Sequence, residues 1–199
     1  LLVDLEPEKV IDSIDWRYLK DALSKNEALE ILRERESDHK DLENAFKDRG
    51  PKAYSTAGWI GLTDEEIVKT VKEMQSQGFD CFKMKVGQGL ENDKERLRFI
   101  REVIGSKSKL MLDCNQIWGV DEAIDYMNEL AEFDPVWIEE PTARDDVQGH
   151  LKIARSLERI GIKVATGEQV PSPVIFKQLL QAGAIGYCQI DASRLGGVN

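Results

Sequence analysis

The sequence predicts an α/β fold made of repeated βα units, a partial (β/α)8 barrel of about six units. Three observations carry that expectation. From residue 52 onward, short apolar runs recur about every 25 to 30 residues, and an amphipathic helical run follows each of them. Such a repeat requires parallel strands joined by helical crossovers. An open doubly wound sheet would also satisfy it, but the glycine-rich turn of a dinucleotide site is represented only by Gly87-Gln88-Gly89, which lacks the third glycine. The third observation separates the two architectures: strands two to six each end in charged side chains, and a closed barrel gathers those ends around one mouth.

Taken in order, residues 1–50 are helical or irregular and highly charged. Ser24, with Glu27 three residues on and Ala28, Leu29, Ile31 and Leu32 behind it, reads as a capping box opening a short amphipathic helix. Residues 34–48 are nearly all charged or polar and are expected to be solvated, with His39 on the surface. The barrel part spans residues 51–199. Strands are expected at 53–60, 81–86, 110–115, 136–140, 163–166 and 187–190, and helices at 64–77, 92–104, 121–132, 145–160 and 173–181. In the second strand Phe82, Met84 and Val86 share one face while Lys83 and Lys85 share the other. Two ammonium groups about 7 Å apart repel by about 2 kcal/mol at an effective dielectric near 20, so negative groups must lie opposite them.

Composition narrows the function classes. With 41% hydrophobic and 32% charged residues the 199-residue chain can build a core, and its formal net charge of -10 argues against a nucleic-acid or anionic-membrane partner. No apolar run approaches the roughly 20 residues of a spanning helix and no signal-peptide pattern is present, so the expectation is an intracellular protein, cytoplasmic or mitochondrial. Cys81, Cys114 and Cys188 lack metal-site spacing and are expected to be small buried side chains in a reducing compartment. The chain opens at Leu1 and stops in what reads as the start of a loop and helix, which suggests a fragment.

The strand ends carry the chemistry. Lys83 and Lys85 end the second strand, Asp113 with Asn115 the third and Glu139 with Glu140 the fourth, while Glu168 follows the fifth and Asp191 the sixth. Three carboxylates, Asp113, Glu139 and Glu168, could share a pocket only around a cation, and an all-oxygen donor set suits Mg2+, whereas zinc would want His or thiolate. The lysine pair offsets the negative charge that remains. Asn115 shares a face with Asp113 and is expected to bond the substrate or a ligand carboxylate. Glu140 should point away from Glu139 and find a structural ion-pair partner. Arg194 is read as holding Asp191 or a neighbouring loop, His150 as a surface or packing residue, and Trp59, Trp118 and Trp137 as core or rim.

Together these motifs resemble the enolase superfamily in its mandelate racemase-like branch. Lys83-Met84-Lys85 is similar to that group's K-x-K motif, Leu112-Asp113-Cys114-Asn115-Gln116 to its first metal-ligand motif, Trp137-Ile138-Glu139-Glu140-Pro141-Thr142 to the second and Ala165-Thr166-Gly167-Glu168-Gln169 to the third. Gln189-Ile190-Asp191, with Arg194 and Gly196-Gly197, resembles the aspartate of an Asp/His dyad. The resemblance covers roughly residues 50–199, and Trp59 and residues 176–181 extend it toward the dehydratases that act on L-fuconate.

The resemblance implies a Mg2+-dependent lyase in which Asp113, Glu139 and Glu168 hold the metal. Lys85 would take the proton alpha to a carboxylate, Lys83 would stabilise the enediolate, and Asn115 would join both lysines in binding the substrate. Loss of the C3 hydroxyl would turn a sugar acid into a 2-keto-3-deoxy acid. The resemblance assigns the general acid to a histidine oriented by Asp191 and expected after the seventh strand. It also implies that residues 1–50 connect to an N-terminal capping domain, that the partner is a small sugar acid, and that the full-length protein forms a homo-oligomer. Dehydration or racemisation of galactonate, rhamnonate or tartrate remains open as an alternative, as does a non-catalytic barrel remnant. Six strands alone would leave edges at the first and sixth.

Overall fold

A computed structural model of the chain describes residues 5–37 and 52–195. Six parallel strands, β1 (Ser55–Gly58), β2 (Cys81–Lys85), β3 (Lys109–Asp113), β4 (Pro135–Glu139), β5 (Lys163–Thr166) and β6 (Tyr187–Cys188), form one sheet in sequence order. Five helices follow β1 to β5 in turn: α3 (Asp64–Ser76), α4 (Leu90–Ile104), α5 (Val120–Leu130), α6 (Val147–Leu157) and α7 (Pro173–Ala182). Strand order matching chain order is what βα units on one side of a curling sheet produce. Trp137 of β4 measures the curl, because its ring meets both Tyr54, next to β1, at 5.6 Å and Tyr187 of β6 at 4.5 Å.

The period-2 alternation of β2 is realised as expected. Phe82, Met84 and Val86 are buried in the core with Leu97 and Ile100 of α4, while Lys83 and Lys85 face the other side of the sheet. Three of these helices start at a side-chain cap. Thr63 and Glu66 form a capping box at α3, and Asp146 and Ser172 cap α6 and α7 through their side chains. Between β1 and β2, Gly58 lies so close to Met84 that an added Cβ would fall 1.6 Å from its sulfur.

N-terminal to the sheet, α1 (Pro7–Ser13) and α2 (Lys25–Ser37) enclose a small core of Ile11, Trp16 and Ala28. The Ser24 and Glu27 box opens α2, with Glu27 N donating to Ser24 Oγ at 3.2 Å and Ser24 N to Glu27 at 2.8 Å. Lys177 of α7 ties this unit to the sheet domain by donating to Tyr18 O and Asp21 at 2.8 Å each. His39 and most of the charged run at 34–48 lie outside the described residues.

Two expectations need correction. The regular part of β1 is Ser55–Gly58 and that of β6 is Tyr187–Cys188, both shorter than the apolar runs around them, because an edge strand has only one neighbour to hold its ends. Cys81 and Cys114 are buried, but Cys188 is exposed, since no further strand pairs beyond β6 among the described residues. His150 is fully buried, which selects packing from the two roles expected of it. No helix of the described residues is long and apolar enough to cross a membrane.

His150 offers a stability test. Its Nδ1 donates to Asp146 O at 2.8 Å, Nε2 has no partner among the described residues, and burial pushes the imidazole pKa below its ordinary value. The unfolded chain, titrating near 6.5, therefore binds more protons than the folded one just below that pH. The neutral histidine's contribution is fully present above about pH 6.5 and is lost as pH falls toward the depressed folded value. His150→Asn should keep the bond to Asp146 and remove this dependence. Urea midpoints between pH 5 and 7 should fall more steeply for the wild type than for the variant.

Candidate active site

The site is a row of side chains across the C-terminal ends of three strands. Register aligns Lys85 with Asp113 and Asp113 with Glu139, so these three residues project to the same face at the same height. Lys83, one pleat below Lys85, donates to both oxygens of Glu139 at 2.8 Å and stands 2.9 Å from Asp113 Oδ2. Lys85 donates to Asp113 Oδ2 at 2.5 Å and to Asn115 Oδ1 at 2.6 Å. Lys83 and Lys85 are nearly buried, and Asp113 and Glu139 are fully so. The negative partners that the paired lysines demand are therefore present.

Burial and charge set the protonation balance. Burial on its own would lower the Lys83 pKa, but its bond to Glu139 and the charge of Asp113 outweigh that effect and hold it above the ordinary lysine value. Burial, reinforced by the Asp113 charge, pushes the Glu139 carboxyl up, while Lys83 pulls it back. Two aromatic rings border the ammoniums, with Tyr54 5.3 Å from Lys83 Nζ and Trp59 5.0 Å from Lys85 Nζ. Trp59 is 54% exposed and forms the rim, whereas Trp118 is core.

The chain leaves the ladder sharply beyond the strands. Asn115, Gln116 and Glu140 have φ of 47°, 64° and 46°, all in the left-handed region. Strand alternation ends there, which overturns the expected placing of Glu140. Glu140 is buried and accepts from Asn115 Nδ2 at 3.4 Å and Gln116 Nε2 at 3.0 Å, with amides rather than a cation as its partners. Burial raises its carboxyl, and Glu168, Asp113 and Glu139 add to the effect despite the Asn115 bond, so it belongs to the same acidic group. Cys114 donates its thiol to Glu140 O at 3.2 Å from the opposite face.

Glu168 is half-buried, and its charge reaches Glu140. Gly167, which precedes it, has φ of 138°, and an added Cβ would come within 2.0 Å of Gln189 O, so glycine alone lets the chain turn against the end of β6. Asp191 is also half-buried and accepts from the Ser193 and Arg194 amides at 2.9 and 3.3 Å. The main chain of Arg194, rather than its guanidinium, thus holds the aspartate. Gly196 and Gly197 lie outside the described residues.

Asp113, Glu139 and Glu168 offer oxygen donors only, a set that suits a hard divalent cation. They do not stand as a preformed cage, and no group of three or more His, Cys, Asp or Glu among the described residues has that geometry. Instead, the Lys83 and Lys85 ammoniums supply the cationic charge between Asp113 and Glu139.

The sequence reading missed Asp93 and Arg96 of α4. Asp93 is fully buried and accepts from Gly87 N at 2.7 Å and Gln88 N at 3.2 Å. Arg96 Nη1 donates to Lys85 O at 2.7 Å. The signal was present, since Asp93 falls on the apolar stripe of Leu97, Ile100 and Ile104, where a carboxylate requires partners.

A curled βα sheet with lysines and carboxylates gathered at the C-terminal ends of its strands is the architecture of a partial (β/α)8 barrel. The sequence profile of the family described as enolase C-terminal domain-like matches residues 66–199, and the chain belongs to this enolase superfamily. The crystal structure of human mitochondrial enolase superfamily member 1 superposes with a TM-score of 0.94 at 44% identity, covering 100% of this chain and 45% of that one. L-galactonate dehydratase of Hypocrea jecorina is 46% identical over 203 residues, covering 100% of this chain and 45% of its own length. L-talarate/galactarate dehydratase of Salmonella typhimurium LT2, solved with Mg and L-lyxarohydroxamate, gives a TM-score of 0.67 at 32% identity over 74% of this chain and 37% of that one. The chain thus spans less than half the length of these relatives.

Removing one partner from the buried charge row should expose its cost. Lys83→Met leaves Glu139 without its bidentate donor and should lower stability by about 3–5 kcal/mol in urea unfolding with chelator present. Adding Glu139→Gln to that variant should recover most of the loss.

Proposed function

We propose that the full-length protein carrying this chain is a Mg2+-dependent acid-sugar dehydratase converting L-fuconate to 2-keto-3-deoxy-L-fuconate. The observation that carries the reading is the buried row in which Lys85 meets Asp113 and Asn115 while Lys83 meets Glu139 and Asp113. The substrate argument rests on chemistry: L-fuconate is L-galactonate without its C6 hydroxyl, identical in configuration from C2 to C5. A chain 46% identical to an L-galactonate dehydratase therefore suits either acid at the reacting carbons.

Asp113, Glu139 and Glu168 would hold Mg2+, which when bound supplies Lewis-acid stabilisation to the substrate carboxylate. Lys85 accepts the C2 proton on its side-chain nitrogen, and the C2–H electron pair passes into the C1–C2 bond of an enediolate. The Lys83 ammonium faces the negative charge that develops on the carboxylate oxygens. Asn115, bonded to Lys85 on one side and Glu140 on the other, fixes the direction of the amine. The C2–C3 double bond then forms as the C3–O bond breaks. The hydroxyl leaves as water with a proton from an acid that Asp191 would orient, and the enol tautomerises to the 2-keto acid. Of the chain's two histidines, His150 is bonded within α6 and serves packing.

The test uses the full-length protein with L-fuconate, L-galactonate, L-rhamnonate and tartrate, with and without chelator, beside Lys85→Ala. Keto acid should form from L-fuconate only with Mg2+, and Lys85→Ala should lose about 10²–10⁴-fold in rate. Exchange of the C2 proton in D2O without keto acid would replace dehydration by racemisation.

A further inference from the structure

Helix α4 carries two arginines that bond main-chain carbonyls at opposite ends of the sheet. Arg101, near the foot, donates to Ser108 O at 2.8 Å and Phe133 O at 2.5 Å, joining the loops that enter β3 and β4. Arg96, near the mouth, donates from Nη1 to Lys85 O at 2.7 Å and from Nη2 to Gly58 O at 3.3 Å and Trp59 O at 3.5 Å. We propose that Arg96 is a positioning residue for Lys85. By holding these three carbonyls at once, its planar fork locks the last residue of β2 against the end of β1. It thereby sets the place of the Lys85 amine and of the Trp59 ring beside it. The proposal rests on Lys85 being the proton-abstracting base.

Lys85 is the residue most in need of such a device. A lysine side chain has four rotatable bonds, and its amine reaches a reproducible position only when both ends of the residue are fixed. Asp113 and Asn115 hold the amine, and Arg96 holds the carbonyl. Asp93 extends the restraint one step further. It stands 3.8 Å from Arg96 and accepts from Gly87 N and Gln88 N, so the chain is bonded on either side of Val86.

Carbonyls at a barrel mouth could be solvated without burying a charge. Placing the guanidinium there carries a desolvation cost, seen in the lowered Arg96 pKa that Asp93 only partly restores. The matching clamp at the foot provides an internal control, because Arg101 has the same chemistry on the same helix and touches no site residue.

The experiment compares Arg96→Met, Arg96→Lys and Arg101→Met in the full-length protein, measuring kcat, KM, C2-proton exchange in D2O, thermal midpoint and a crystal structure of each. Arg96→Met should lose about 10²-fold in kcat and in proton exchange with KM nearly unchanged, as expected for a base displaced by an ångström or so. In its structure Lys85 Nζ should leave Asp113 or Asn115. Arg96→Lys, which retains one donor toward Lys85 O, should recover part of the rate. It also supplies the kinetic test if Arg96→Met does not fold. Arg101→Met should lower the thermal midpoint without a selective loss of kcat. Equal kinetic losses at both arginines, or an undisplaced Lys85 with full rates in the Arg96 variants, would overturn the proposal. If the wild type neither dehydrates nor exchanges any acid, the dehydratase reading fails, and the position of Lys85 in the variant crystals still decides the clamp.

Discussion

The attraction between two ammonium groups and two buried carboxylates is the constraint on which the mouth of this sheet depends. Unpaired, each of these four charges would carry a desolvation cost of several kcal/mol. Paired, they specify register. Lys85, Asp113 and Glu139 occupy matched positions on adjacent strands, and a slip of one residue in β2 would turn both lysines into the apolar layer beneath α4. The electrostatic row and the hydrophobic face of Phe82, Met84 and Val86 therefore demand the same alignment. The site and the core are two readings of one strand.

Around that row the labour is divided by backbone type. Positions on the strands carry charge, with the ladder setting the backbone and the paired side chains holding one another. Positions just past the strands carry amides and a second-rank carboxylate, with Asn115 and Gln116 each donating to Glu140. In the proposed reaction this arrangement would serve the chemistry more than the choice of substrate. Under the proposed function, L-fuconate and L-galactonate differ only at C6, the far end of the acid from the reacting C2, so the residues described here would meet the two acids alike.

Much of this could be read from residue order alone. Alternation in β2, the recurring βα period and the charges at successive strand ends point to a curled parallel sheet with a polar mouth, because period and spacing are local properties. What escaped were features set by tertiary position. Glu140 looked like an outward residue because alternation was extended one step too far, and only its left-handed φ reveals the turn. Cys188 resembled the other two cysteines in its flanking residues, but exposure at a sheet edge is decided by what pairs next. Arg96 read as one more charge on a charged helix. Its role depends on a helix face meeting a strand end, which residue order alone does not encode.

The left-handed residues at the strand ends have a consequence for engineering. Holding Gln116 and Glu140 at positive φ costs about 1–2 kcal/mol each relative to ordinary backbone, with a smaller cost at Asn115. Glycine would relieve that strain while deleting the side chains that orient Lys85 and its acidic neighbours. A laboratory selection for heat resistance alone would thus drift toward glycine at these three positions. Its fittest survivors would be stable scaffolds with the amide network erased, so thermal tolerance and turnover should be selected together.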